Sequence, residues 1–163
     1  MNGLDINTPK GQISKEQENE VIFLLNKKYP HLWYCETPKT KAADIDAIII
    51  DSNNKSIKSV VETKCRNMSF EQFAGQYKFE WLVTFEKIKK GINIASGMFV
   101  PFVGILYLVP SKTILIQSIW SPENGYETGM RIEKTKTQAT INGGSAIRDN
   151  AYIDMKLATI IND

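Results

Sequence analysis

The chain has 163 residues, of which 42% are hydrophobic and 23% are charged, and its formal net charge is +2. This composition is typical of a globular domain and excludes a disordered or fibrous chain. Two cysteines, Cys35 and Cys65, are too few for a disulfide scaffold and lack the spacing of zinc ligands. A near-neutral charge neither demands nor excludes a nucleic-acid partner.

The chain shows no targeting or membrane-spanning signal. Residues 1–12 lack the apolar segment of a secretory signal and read as a loose leader. The longest apolar run, residues 97–110, is too short to cross a bilayer and contains Pro101 and Gly104. We therefore expect a cytoplasmic protein with no membrane partner, made of a single domain over residues 1–163.

The first part of the chain predicts a helix and then three strands. Ser14 is typical of a helix N-cap, with Gln17 as its capping-box partner, and the helix runs to about Lys28. Short apolar and β-branched runs bounded by polar turns then indicate strands. These predicted strands span residues 32–37, 44–51 and 57–65.

The second part predicts one long helix and a further pair of strands. Apolar side chains recur at mostly i+4 steps from Phe70 to about Ala95, which indicates an amphipathic helix. Two apolar runs at residues 102–109 and 114–120 suggest paired strands, and the tail from Met130 alternates as a strand does.

The order of these elements predicts an α/β fold in which helices flank a mixed sheet. The predicted core covers about residues 13–120. A β-rich C-terminal extension follows at about residues 121–163.

Two acids interrupt the apolar strands of the predicted hairpin. Asp46 lies just before residues 48–50, and Glu62 lies just after residues 60–61, where buried side chains are expected. Acids in such surroundings need a partner or a metal ion. Glu62 and Lys64 share one face, because alternate side chains of a strand point the same way.

Asp46 joins that face only if the hairpin pairs residues whose numbers have an even sum. A three-residue loop at residues 53–55 gives this register, with Ser52 opposite Ser56 and Asp46 opposite Glu62. Carboxylates opposed in this way repel each other. A divalent cation that binds both removes the conflict, and carboxylate oxygens suit Mg²⁺ or Mn²⁺.

At these residues the chain resembles the PD-(D/E)XK nuclease superfamily, in which an Asp and an (Asp/Glu)-x-Lys lie on adjacent strands. The resemblance covers about residues 14–120 and matches an αβββαβ restriction-endonuclease-like core, although Ile45 rather than proline precedes Asp46. It implies Mg²⁺-dependent hydrolysis of phosphodiester bonds in DNA, with Mn²⁺ as a substitute, and favours an endonuclease over an exonuclease, both of which stay open.

The resemblance also implies roles for individual residues. Asp46 and Glu62 are metal ligands, the backbone carbonyl of Thr63 is a further ligand, and Lys64 is the catalytic lysine. The superfamily often adds a glutamate from the first helix. Glu18 shares a helical face with the apolar stripe and is favoured, and Glu20 is the alternative. A solvated acidic first turn would explain both.

Other polar residues carry less weight. Gln72 and Gln76 on the second helix could approach the metal, and His31, the only histidine, argues against a histidine-based nuclease. A solvated surface is expected for the run Lys87, Lys89 and Lys90. The basic residues that could contact phosphates are Lys39, Lys41, Lys58, Lys64 and Arg66.

Two other interpretations stay open. A nucleic-acid-binding or protein-interaction module could keep the nuclease fold without cutting, and it would show no Mn²⁺ binding that depends on Asp46. An unrelated α/β protein with accidental acids would place Asp46 and Glu62 on opposite sides of the sheet. A homodimer is compatible with the resemblance, because many relatives dimerise to cut two strands.

Overall fold

The structure is a computed structural model that describes residues 8–38, 43–136 and 147–163. In these ranges the chain forms an α/β fold with two sheets. No helix among the described residues is long and apolar enough to cross a membrane. The helices are α1 (Pro9–Lys28), α2 (Phe70–Gly75) and α3 (Phe85–Met98).

The larger sheet is mixed. Its strands are β1 (Leu32–Glu36), β2 (Ala47–Asp51), β3 (Ile57–Arg66), β5 (Phe102–Leu108), β6 (Thr113–Ser121), β7 (Gly125–Tyr126) and β10 (Thr159–Asn162). They lie in the order β1-β2-β3-β5-β6-β10, and β7 pairs with β6. β3 and β5 are parallel, whereas β2 pairs with β3 and β6 with β5 in the antiparallel sense.

The smaller sheet is antiparallel and has the order β4-β9-β8. Its strands are β4 (Glu80–Thr84), β8 (Met130–Lys136) and β9 (Ile147–Asp154). The predicted C-terminal extension is therefore β-rich, as expected. It is also built into the core, because β10 extends the larger sheet beside β6 and β9 pairs with β4.

Two apolar clusters cover the two faces of the larger sheet. On the α1 face, Val21 and Leu24 of α1 pack with Val61 of β3. On the opposite face, which we call the α3 face, Val60 packs with α3 and with the smaller sheet. Because side chains alternate along β3, Thr63 and Cys65 belong to the α1 face, and Glu62 and Lys64 to the α3 face.

The first helix begins earlier than predicted. Its N-cap is Thr8, whose hydroxyl accepts a hydrogen bond from the Gly11 N–H at 3.0 Å, and Pro9 takes the first helical position that suits proline. Ser14, the predicted cap, lies inside the helix. The expected loose leader is therefore wrong for residues 8–12, and residues 1–7 lie outside the described residues.

The long helix predicted from Phe70 to Ala95 is also wrong. α2 ends at Gly75, and the backbone turns through positive φ angles of 54° at Lys78 and 60° at Phe79 before β4 begins. In β4 the buried Trp81 and Val83 flank the exposed Leu82, which is a strand pattern. The i+4 spacing of a helix and the alternate spacing of a strand both fit the apolar residues of this segment. The i+4 pattern therefore predicts a helix where the chain forms a strand. The strand pair β5–β6 is confirmed.

Candidate functional site

The register of the β2–β3 hairpin is the one that the site requires. Ala47 pairs with Val61 and Ile48 with Val60, so one further step brings Asp46 level with Glu62. The predicted even-sum pairing is therefore confirmed for this part of the hairpin.

The loop that was expected to produce this register is wrong. At the turn Ile50 pairs with Ile57, and the register shifts between Ile49 and Ile50. The loop is one residue longer than predicted, and a bulge near Lys58 restores the even-sum pairing before the site. The left-handed residue of the turn is Lys55, with a φ of 61°, rather than an asparagine.

Asp46 is held at the edge of β3 where the ladder with β2 ends. Its N–H donates to the Val61 carbonyl at 3.0 Å, and its Oδ2 accepts a hydrogen bond from the Thr63 N–H at 2.8 Å. The hydroxyl of Thr37 donates to the Asp46 carbonyl at 3.0 Å from the other side. Asp46 thus leaves the regular ladder, and its carboxylate lies beside the backbone of β3.

Glu62 is a carboxylate buried among apolar side chains, with only 1% of its surface exposed. The Lys64 Nζ lies 3.0 Å from Glu62 Oε1. This contact is an ion pair without the angle of a hydrogen bond, and neither oxygen of Glu62 accepts a hydrogen bond from the residues that the structure describes. Burial, opposed by Lys64 and reinforced by Asp46, raises the pKa of Glu62.

The charge of Asp46 contributes to raising the pKa of Glu62. Burial lowers the pKa of Lys64, but the carboxylates of Glu62 and Asp46 outweigh it, so that the net shift is upward. Lys64 is therefore an ammonium group at neutral pH.

Lys87 of α3 is a site residue that the sequence interpretation missed. Its Nζ lies 3.8 Å from Glu62 Oε1, and its side chain is 27% exposed. The sequence pattern predicts a solvated surface for Lys87, within a helix that begins at Phe70, whereas α3 begins at Phe85. Had the start of α3 been recognised from Thr84 and Glu86, a lysine in the first turn would have been conspicuous. The neighbouring Lys90 pairs with the exposed Asp44 at 3.4 Å.

The α1 face of β3 carries a different set of groups. The Tyr34 hydroxyl is 2.8 Å from Thr63 Oγ1, and burial raises the pKa of Tyr34. Burial likewise raises the pKa of Cys65 to about 12. A cavity of about 240 Å³ also opens on this face, lined mainly by apolar side chains that include Leu25, Val61 and Ile105.

The structure places Glu18 on this α1 face, apart from the face on which Glu62 and Lys64 lie. Its charge contributes to raising the pKa values of Tyr34 and Cys65. The charges of Asp46 and Glu36 also contribute to raising the pKa of Tyr34. Glu20, the alternative, raises the pKa of Tyr107 together with burial, although no hydrogen bond of ordinary geometry joins the Tyr107 hydroxyl to a described residue.

The residues at the edge of β3 fit a hard divalent cation. Within a strand, the N–H and C=O groups of one residue point to the same side. The Thr63 N–H points toward Asp46, so the Thr63 carbonyl points to that side as well. Glu62 offers buried oxygens that accept no hydrogen bond from the described residues. Such oxygen donors suit Mg²⁺ or Mn²⁺.

This set is small. In the described parts of the chain, no three His, Cys, Asp or Glu side chains are close enough together to hold a metal ion by themselves. A cation bound by Asp46 and Glu62 would complete its shell with the Thr63 carbonyl and with water or substrate oxygens, as Mg²⁺ usually does.

The remaining candidates do not converge on Glu62. Gln72 donates to Gln76 at 3.2 Å on the exposed side of α2. Lys58 is exposed near the start of β3, the end away from Glu62, and lines the cavity of the α1 face. Arg66 follows Lys64 on the α3 face, and burial lowers its pKa. Lys39 and Lys41 lie outside the described residues.

No protein-family model matches this sequence, and a search of curated proteins finds no significant similarity. The arguments for function therefore come from the site.

Proposed function

We propose that the protein is a Mg²⁺-dependent deoxyribonuclease of the PD-(D/E)XK superfamily, with a restriction-endonuclease-like core and endonuclease activity. The observation that carries the proposal is the Glu62 carboxylate, which is 1% exposed. Among the described residues, Lys64 and Lys87 form ion pairs with its Oε1, whereas its Oε2 accepts no hydrogen bond. A fold that serves stability alone would place an apolar residue here, because burying a carboxylate costs on the order of several kcal/mol and ion pairs on one oxygen do not offset the whole cost.

Each of the two acids has a distinct means of support. Asp46 is oriented by the Thr63 N–H, which donates a hydrogen bond to its Oδ2. Glu62 is oriented by the packing around it and by Lys64. With the Thr63 carbonyl they would hold a Mg²⁺ or Mn²⁺ ion. When bound, such an ion polarises a phosphate oxygen and lowers the pKa of a bound water molecule.

We assign to Lys64 the role of a positive group. In the metal-free protein the carboxylates of Glu62 and Asp46 raise its pKa and keep it protonated at neutral pH. The side chain of Lys64 is 32% exposed, so it can contact solvent while its ammonium remains beside Glu62. We assign to it the stabilisation of negative charge that develops on the phosphate oxygens, which is a large electrostatic contribution in related chemistry.

DNA as the substrate and a homodimer as the active form are parts of the proposal that follow from the resemblance. The catalytic role of Glu18 also stays a prediction. It would have to act around the edge of the sheet, because α1 covers the face opposite Glu62.

The decisive experiment incubates the purified protein with linear, circular, single-stranded and branched DNA in Mg²⁺, Mn²⁺ or EDTA. We expect cleavage of circular DNA with a divalent cation and none with EDTA. Asp46→Ala, Glu62→Ala and Lys64→Ala should each abolish cleavage while circular dichroism shows a folded protein. Metal-dependent cutting that survives in purified Glu62→Ala protein would refute the proposal.

A module that binds nucleic acid or protein without cutting is the competing function. Its support is the small number of acidic ligands gathered in the described residues. Titration calorimetry with Mn²⁺ separates the two. A nuclease should bind Mn²⁺ in a manner that Asp46→Asn weakens, whereas a module without a functional metal site should not.

A further inference from the structure

Lys87 has an unusual position for a lysine. It lies in the first turn of α3, where the helix dipole favours acids and disfavours cations. Its Nζ is 3.8 Å from Glu62 Oε1, and its side chain is less exposed than that of Lys90, at 27% against 42%. The position is therefore unfavourable for the helix itself, and the ion pair with Glu62 offsets it.

Both ammonium groups contact the same oxygen of Glu62. Lys64 and Lys87 lie 3.0 and 3.8 Å from Oε1, and neither makes a hydrogen bond of ordinary geometry with it. Together with Asp46, this gives two negative and two positive groups, which balance when no metal is present. A divalent cation on the two carboxylates would add two positive charges. The cluster would then repel a lysine ammonium and attract a phosphate.

We propose that Lys87 is a second substrate-binding lysine of this site, which neutralises Glu62 in the metal-free protein and contacts a DNA phosphate once a divalent cation occupies Glu62. The proposal rests on the proposed nuclease function. The flexible side chain of lysine makes the change of partner feasible, because its ammonium is a point charge on a four-carbon stem. Its partial exposure opens a direction toward solvent, from which the substrate arrives.

The test uses Lys87→Gln, with Lys89→Gln as the matched control. Lys89 lies on the same helix but is exposed, and its Nζ is 5.2 Å from the ring centre of Phe85. The first measurement is titration of the DNA-free protein with Mn²⁺. Lys87→Gln should bind Mn²⁺ about fivefold more tightly than the wild type, because a nearby positive charge no longer competes. Lys89→Gln should bind as the wild type does.

The second measurement is DNA affinity as a function of salt, with Ca²⁺ in place of Mg²⁺ because its looser coordination disfavours cleavage. In Lys87→Gln, the loss of one phosphate contact should make the negative slope of log affinity against log salt shallower by about 1. The slope for Lys89→Gln should equal that of the wild type. A merely structural ion pair would change Mn²⁺ binding without changing this slope.

An unchanged salt slope in Lys87→Gln would overturn the proposal, whatever the Mn²⁺ titration shows. Unchanged Mn²⁺ affinity would overturn it as well, because Lys87 would then not compete for Glu62. These outcomes are separate from those of the proposed function. A wild-type protein that binds Mn²⁺ and DNA but cuts no substrate would refute the nuclease assignment and would leave both measurements on Lys87 valid.

Discussion

The two faces of β3 differ sharply although their residues alternate along one strand. On the α3 face the buried Glu62 forms a charged cluster with the partly exposed Lys64 and Lys87. On the α1 face Thr63 satisfies its hydroxyl with Tyr34, and an apolar cavity lies nearby. Under the proposed nuclease function, β3 separates chemistry from support. The α3 face would carry the charged groups of the site, and the α1 face would fix the backbone that positions them.

The largest effect should appear when the same strand is altered on one face and then on the other. Glu62→Gln replaces the proposed metal-binding carboxylate with a neutral amide. We expect cleavage to fall by about 10³-fold or more, since a bound metal would contribute several kcal/mol to stabilising the transition state. Cys65→Ser, on the α1 face, should change cleavage by less than about threefold. Initial rates of plasmid nicking at saturating Mg²⁺ provide the measurement.

Circular dichroism and thermal unfolding of both variants control for misfolding. If Cys65→Ser reduces cleavage as strongly as Glu62→Gln does in a folded protein, the division between the two faces is not valid.

A second effect concerns how closely the smaller sheet packs beneath the site. Gly104 of β5 pairs with Glu62 of β3. A Cβ added at Gly104 would lie 2.5 Å from the Trp81 ring and 3.0 Å from the Ile119 side chain. Because Trp81 is 2% exposed, it cannot easily move aside. Gly104→Ala should therefore lower the free energy of unfolding by about 1–3 kcal/mol, as overpacked cores do. Urea unfolding measures this loss.

Gly75→Ala is the matched control, because nothing lies within 4 Å of a Cβ at that position. It should be neutral or slightly stabilising, since it removes a glycine from a helix. Equal losses in both variants would show that the close approach of Trp81 to β5 does not limit stability.

The sequence was sufficient to predict the hairpin and the acids on it, since these depend on alternation over a few neighbouring residues. Asp46 and Glu62 were recognisable because each interrupts an apolar run. The bulge near Lys58 was not predictable, because the positive φ of Lys55 and the register shift depend on the whole sheet. Correct pairing at the site was therefore predicted from an incorrect loop.

The segment after the hairpin shows a second kind of limit. An i+4 spacing and an alternate spacing coincide around Trp81, so periodicity alone could not distinguish a helix from a strand. The positive φ angles of Lys78 and Phe79, which end the helical segment, carry no glycine signal. Lys87 was missed for this reason, since its contact with Glu62 depends on where α3 begins and on which face it covers.

A third effect concerns pH and belongs to the α3 face. The raised pKa of Glu62 means that the folded metal-free protein binds this proton more tightly than the unfolded chain does. Stability should therefore fall as pH rises from about 4.3, the ordinary pKa of glutamate, through the higher pKa of folded Glu62. Above that pKa the loss is complete and constant.

Urea unfolding in EDTA between about pH 4 and pH 8 measures this. The measured quantity is the free energy of unfolding of the wild type minus that of Glu62→Gln. It should decline by up to about 1.4 kcal/mol per pH unit between the ordinary pKa of glutamate and the pKa of folded Glu62, and then level off. Mn²⁺ affinity should show the opposite trend and rise with pH, because metal binding requires the ionised carboxylate. If this difference in the free energy of unfolding does not change with pH, burial does not destabilise the ionised form of Glu62.

The smallest effect should come from the supporting face. Tyr34→Phe removes the 2.8 Å hydrogen bond to Thr63 Oγ1 without changing the shape of the ring, and should lower the free energy of unfolding by about 1 kcal/mol. Tyr126→Phe, whose side chain is 53% exposed, is the control and should be neutral. Because the Thr63 backbone also holds Asp46, Mn²⁺ affinity in Tyr34→Phe should fall slightly, by about twofold to threefold. A loss of Mn²⁺ binding as large as in Asp46→Asn would mean that the α1 face is part of the metal site itself, and the separation of chemistry from support along β3 would then fail.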